Sequence, residues 1–188
     1  MNAMITTLLF ALLLAWPDYA RATVYVSTDV PKPIPDVAAT DSTLSVPDLV
    51  FPGDVNVTIN LTHTFVADLH ISLISPSSIS VDLVRNRGGA GDNFTNTTFD
   101  DSAATSIATA GAPFTGTFRP EEPLSGFNGA IAQGVWTLHV ADEAAIDVGT
   151  LLGWSLDITP GAAVPEPSIL ALCIGGLIAV TIGALKRS

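Results

Sequence analysis

Three kinds of side-chain grouping in this sequence could do chemistry. His63 and His70 flank Asp68, a set whose residue types suit zinc. On one continuous strand, however, positions an odd number apart face opposite ways, so the two rings would not share a metal. Asp100-Asp101 and Glu121-Glu122 are paired carboxylates. Glycoside hydrolysis needs two carboxyls at a set distance across a cleft, whereas loop neighbours of this kind are usually just solvated. Calcium fits better, because hard cations take several oxygens from Asp, Asn and carbonyls on loops. Asp92 and Asn93 after Gly91, the pair Asp100 and Asp101, and Asp142 with Asp147 are its candidate ligands. The alternative is that these side chains make Asx-turns and cap loops.

Other groupings point to scaffold. Gly88–Gly91 is followed by neither Lys nor a helix start, so it reads as a turn and not as a phosphate loop. Trp136 and Trp154 fall on the apolar faces of their segments, which favours core packing over sugar stacking. Asn56, Asn60, Asn93 and Asn96 each open an N-x-Ser/Thr sequon, and Asn and Thr are in any case common on outward strand faces.

The elements that would position these residues are strands. Val55, Val57, Ile59 and Leu61 alternate with Asn56, Thr58, Asn60 and Thr62, a period of two. The same alternation runs through 79–84, 136–141 and 154–159, and further strands are expected at 24–27, 69–75 and 114–119. Pro76-Ser77-Ser78, the glycine run at 88–91 and Pro120, Pro123 and Gly126 are turn chemistry. No helical stripe interrupts the middle of the chain. Many short strands between such turns predict an all-β sandwich or jelly roll. The proline-spaced segment 31–36 is expected to strap the sandwich edge.

Composition excludes several functions. The 188 residues carry 18 Asp+Glu against 7 Lys+Arg, a formal net charge of −11. Nucleic acid is not an expected partner for so acidic a chain. One cysteine, Cys173, excludes an intrachain disulfide and any multi-cysteine zinc or iron–sulfur site.

Apolar residues collect at both ends. Residues 5–16 read ITTLLFALLLAW, followed by Ala20-Arg21-Ala22. An apolar stretch before an A-x-A triplet predicts a signal peptide over 1–22, cut by signal peptidase, with an uncleaved anchor as the alternative. Near the other end, Pro165-Glu166-Pro167 precedes an uncharged apolar run of 17 residues, 169–185. As a helix this run would be about 26 Å long, enough to cross a thin hydrocarbon core. Lys186 and Arg187 follow it and would stay cytoplasmic. The expected organisation is a leader (1–22), a β domain (23–160), a linker (161–168), a transmembrane helix (169–185) and a basic tail (186–188).

Pro165-Glu166-Pro167, one span and a closing Lys186-Arg187 resemble the PEP-CTERM sorting signal of Gram-negative bacteria. That resemblance implies export through the inner membrane, recognition there by an exosortase as processing partner, cleavage near the motif and delivery to the cell surface or medium. An ordinary tail anchor is the alternative.

A second resemblance covers about residues 25–160. His63-Thr64-Phe65-Val66-Ala67-Asp68-Leu69, Leu73-Ile74-Ser75-Pro76-Ser77 and Asn96-Thr97-Thr98-Phe99-Asp100-Asp101 carry its first half. Phe118-Arg119-Pro120, Leu124-Ser125-Gly126-Phe127-Asn128-Gly129, Gly134-Val135-Trp136-Thr137-Leu138, Ala141-Asp142, Gly149-Thr150-Leu151 and Gly153-Trp154-Ser155-Leu156 carry its second. In this order they resemble the P domain (P/Homo B) of proprotein convertases. The resemblance implies a galactose-binding-like β jelly roll, of a kind that often carries a structural calcium. In that family the domain usually follows a subtilisin-like protease and supports its folding or stability.

Subtilisin-like catalysis needs Asp, His and Ser held together with an oxyanion hole. The sequence has no Asp-Ser/Thr-Gly, His-Gly-Thr or Gly-Thr-Ser-Met stretch to supply them. The expectation is a non-enzymatic, exported structural or interaction module that binds a surface protein or polymer. Its alternatives are a lectin-like module for exopolysaccharide and an accessory to a separately encoded serine endopeptidase.

Overall fold

A computed structural model describes residues 21–161. Most of the expected leader, the Pro165-Glu166-Pro167 motif, the apolar run and the basic tail lie outside the described residues. Among the described residues no helix is long and apolar enough to cross a membrane.

Ten strands make two sheets. They are β1 (Thr23–Val26), β2 (Lys32–Ile34), β3 (Ala39–Val46), β4 (Pro52–His63), β5 (Leu69–Ile74), β6 (Ser80–Arg85), β7 (Phe94–Phe99), β8 (Phe114–Phe118), β9 (Gly134–Asp142) and β10 (Gly149–Pro160). The larger sheet runs β1-β10-β4-β7-β8, with β2 also on β10. The smaller runs β3-β9-β5-β6. All pairs are antiparallel except β7 with β8. The expected β-sandwich is what forms.

The alternating sequence explains the core. Val55, Val57, Ile59 and Leu61 of β4 are all buried against Trp136, Leu138 and Val140 and their neighbours in a single cluster. Trp136 is 1% exposed, and its Nε1–H donates to the Ala132 carbonyl at 2.8 Å. Phe127 meets its ring edge-on at 4.9 Å between centroids. Trp154 is 3% exposed, and its Nε1–H donates to Ser42 Oγ at 2.7 Å. Each indole N–H thus keeps a partner inside the core, as burial requires.

Two strands depart from simple alternation. Leu151 and Trp154 are both buried although they stand three positions apart. A register shift between Leu151 and Gly153 swaps the faces of β10 and reconciles this. In β7, Phe94 and Phe99 are likewise both inward, and a shift at Asn96, with φ of 46°, turns the strand over. Phe94 then stacks on Phe114 at 4.8 Å.

The segment expected to strap the sandwich edge becomes a strand in part. Lys32–Ile34 pairs with Leu151–Gly149, and β1 pairs further along the same edge of β10. The short stretch 32–34 lacked enough residues to display a period.

Candidate functional site

Every histidine among the described residues faces a carboxylate. His63 closes β4, and its Nε2 lies 3.2 Å from Asp142 Oδ2 at the end of β9, with both side chains fully buried. Its Nδ1 is 3.0 Å from the Phe65 carbonyl and 3.3 Å from the Phe65 N–H, so both ring nitrogens are engaged. His70 Nε2 is 2.8 Å from Asp82, and its Nδ1 is 3.4 Å from Glu143. His139 Nδ1 is 2.6 Å from Asp41 across the β3–β9 pair.

A His–Asp pair is the base half of nucleophile activation. A base must also reach the proton it removes. The His63 ring is sealed, so this pair clamps the ends of two strands from opposite sheets. Its seat leaves no room beside it. A Cβ on Gly149 would come within 2.1 Å of the Thr62 carbonyl and 2.7 Å of His63 Cδ2.

His63 and His70 do not stand on one continuous strand. A 3-10 turn at Val66–Asp68 separates β4 from β5 and sends each ring to its own carboxylate. The parity argument therefore does not apply, though the two rings are parted all the same.

The six candidate calcium ligands divide between two places. Four belong to the His63 end. Asn93 Oδ1 accepts from His63 N–H at 3.0 Å, and Asp147 Oδ1 accepts from Thr64 Oγ1–H at 2.6 Å. Asp142 Oδ1 accepts from Ala144 N–H at 3.2 Å, and Asp92 precedes Asn93 in the loop into β7. Asp68 lies beside this group. Its carboxyl is pushed above the usual range by burial first, then by the charges of Asp142 and Asp147.

Asp100 and Asp101 lie elsewhere, in the turn after β7. Asp100 Oδ1 accepts from Ser102 N–H at 2.7 Å, an Asx-turn. Both Asp101 oxygens accept backbone N–H groups, from Leu124 and Ser125, each at 2.8 Å. These carboxylates hold loops. Near them Asp54 is pushed up by burial and next by Asp100. Asn56, two residues further along β4, and Asp157, opposite Asn56 on β10, each leave one buried oxygen without a donor. Among the described residues no group of three or more His, Cys, Asp or Glu side chains is placed to hold a metal ion. Most of the candidate oxygens already accept from protein N–H and O–H groups.

The other paired carboxylates also serve the scaffold. Glu121 pairs with Arg87, and Glu122 Oε2 accepts from Asp82 N–H at 2.9 Å. The two tryptophans singled out in the sequence are core residues, which removes both from any sugar-stacking surface.

Two features carry no motif in the sequence. Asp29, in the loop after β1, accepts from Ser42 Oγ–H at 2.5 Å and from Thr43 N–H at 2.8 Å, and pairs with Lys32 at 2.8 Å. Burial opposes its ionisation, but these donors prevail and hold its carboxyl well below the usual range. Ser42 in turn accepts from Trp154, so a relay of hydrogen bonds joins the two sheets to the first loop. The second feature is an apolar groove of about 690 Å³ between the start of β1 and the end of β10. Tyr25, Leu49, Phe51, Pro52, Ile158 and Pro160 are among its walls. The pairing of β1 with β10 brings the first and last strands together, but no sequence signal marks the concavity beside them.

The model of the proprotein convertase P-domain family matches residues 52–158, from the first residues of β4 into β10. A calcium-dependent protease of Nostoc sp. is 27% identical over 128 residues, covering 67% of this chain and 17% of that protein. Leupeptin-inactivating enzyme 1 of Streptomyces exfoliatus is 26% identical over 132 residues, covering 69% of this chain and 24% of that enzyme. The chain therefore spans a quarter or less of these relatives' length. A crystal structure of a serine protease of Aeromonas sobria aligns with a TM-score of 0.48 at 22% identity, over 75% of this chain and 26% of that one.

Proposed function

Because the chain belongs to the proprotein convertase P-domain family, we propose that it acts as a non-catalytic interaction module, exported and sorted to the cell envelope or beyond by its C-terminal tail. One observation supports the non-catalytic reading above others. The His–Asp pair that resembles catalytic machinery is wholly buried and serves as a strand clamp. The family match covers the sandwich and its relatives' names belong to much longer proteins, so their activity is not carried over residue by residue.

Sorting rests on the sequence pattern of 161–188. Pro165-Glu166-Pro167, the apolar run and Lys186-Arg187 would present the chain to an exosortase after signal peptidase has acted at Ala20–Ala22. The boundaries expected at 22, 160, 168 and 185 belong to this proposal.

A second reading has the module assisting a separately encoded protease. The names of the curated relatives favour it, since a related segment occurs within a protease. The two readings separate in one experiment. Protein isolated from its own cells is tested for casein hydrolysis and for stoichiometric co-purifying chains. The interaction-module reading expects no hydrolysis and no subtilisin-like partner. Hydrolysis abolished by a point substitution in this chain would overturn it, and a stoichiometric protease partner would establish the accessory role.

A further inference from the structure

We propose that the groove between β1 and β10 is a docking site for the chain's own segment 162–167, Ala-Ala-Val-Pro-Glu-Pro. Gly161 forms part of the groove wall, together with Pro160. Its N–H donates to the Phe51 carbonyl at 2.8 Å, and Pro160 lies opposite Pro52 in the β10–β4 register. Contact here is close enough that a Cβ on Gly53 would lie 2.6 Å from Gly161 Cα. The next residue of the chain therefore starts at the groove itself.

The groove is preformed. Its floor is tied by Gly129 N–H to the Pro52 carbonyl at 2.8 Å and Ala132 N–H to the Val50 carbonyl at 2.9 Å. Its volume, about 690 Å³, lies in the range of small-ligand and peptide sites. Its rim exposes Leu49 (65%) and Phe51 (50%) side by side along the groove. Apolar exposure of this kind beside a concavity marks a place that something covers.

The segment's chemistry matches that lining. Ala162, Ala163, Val164 and Pro165 are apolar, and two prolines in three residues bias the chain toward the extended polyproline II form. Such segments dock in grooves lined by aromatic side chains, here Tyr25 and Phe51, with little ordering entropy to lose. Six residues in that form reach about 19 Å, and attachment at the groove edge gives them a high effective concentration. Asp48, which accepts from the Tyr25 hydroxyl at 3.0 Å, has the same sign as Glu166. Contact is therefore carried by 162–165, with Glu166 left in water.

Docking would hold the Pro165-Glu166-Pro167 motif against the folded domain and limit its access to a processing enzyme. That consequence rests on the proposed sorting function; the contact itself does not.

The test is amide hydrogen exchange across 162–168 in the full chain, in detergent and again in lipid nanodiscs. In the parent protein the amides of 162–164 are expected to exchange about tenfold more slowly than in a free peptide, in both media and at all protein concentrations. Leu49→Ser with Phe51→Ser, both exposed positions, should abolish that protection while the thermal midpoint stays put. Val164→Ser should weaken it from the other side. Free-peptide rates in the parent protein would overturn the proposal. So would protection indifferent to the groove variants, protection seen only in bilayers (a lipid occupant), or protection that rises with concentration (a second copy). A tail found uncut in cells would defeat the sorting proposal and leave this result standing.

Discussion

Asp29 shows how a single carboxylate in a loop organises this fold. Removing it in Asp29→Ala leaves Ser42 and Thr43 without their acceptor and Lys32 without its partner. The expected loss is about 2 kcal/mol in denaturant unfolding. Its pH dependence has a definite sign. A carboxyl held below its ordinary value contributes stability above roughly pH 4, and that contribution is lost as pH falls through its native value. The parent protein should therefore weaken below about pH 4 more steeply than Asp29→Ala. Asp68 has the opposite sign. Burial and the charges of Asp142 and Asp147 penalise its ionised form, so Asp68→Asn should stabilise at neutral pH by roughly a few tenths of a kcal/mol. That gain should vanish in acid, where the parent Asp68 is itself protonated. Breaking the buried clamp is costlier: His63→Ala is expected to destabilise by about 3 kcal/mol by stranding Asp142. At this scale the sequence displayed the carboxylates but not their partners. Asp41 meets His139 across a strand pair and Asp142 meets His63 between the two sheets, and no local spacing encodes either meeting.

Strands were legible where alternation was clean, as in β4, β9 and the second half of β10. They were hidden where a bulge or a polar insider broke the period. β3 carries Ser42, wholly buried, at a position where an apolar residue would have announced the strand. β7 reads FTNTTF, and only the turnover at Asn96 brings both phenylalanines inward. Gly149 gives the corresponding test. Gly149→Ala would drive a methyl into the Thr62 carbonyl and the His63 ring, and the first residues of β10 would have to move off β4. Thermal unfolding should show a midpoint lowered by several degrees, a loss on the order of 2–3 kcal/mol. A midpoint unchanged from the parent would mean that β10 and β4 are not so closely joined there.

For the whole molecule, the all-β class followed from period and punctuation, and the family from short motifs strung in order over most of the domain. What the sequence could not display was which acidic residues meet. Four of the candidate calcium ligands gather near His63 and two lie in the turn after β7, most with protein donors already on them. Thermal midpoints measured with calcium and with a chelator are accordingly expected to coincide; a shift of several degrees would show that these oxygens exchange their partners for a cation. The net charge of −11 makes the surface repel anionic polymers, so an interaction partner should present neutral or cationic groups. The most direct test of the exported module is its intact mass, taken from membrane and medium fractions of its own cells. The expected species begins at Thr23 and ends near Pro165-Glu166-Pro167. A membrane-bound species still ending at Ser188 would contradict tail-directed sorting and leave a plain anchored domain.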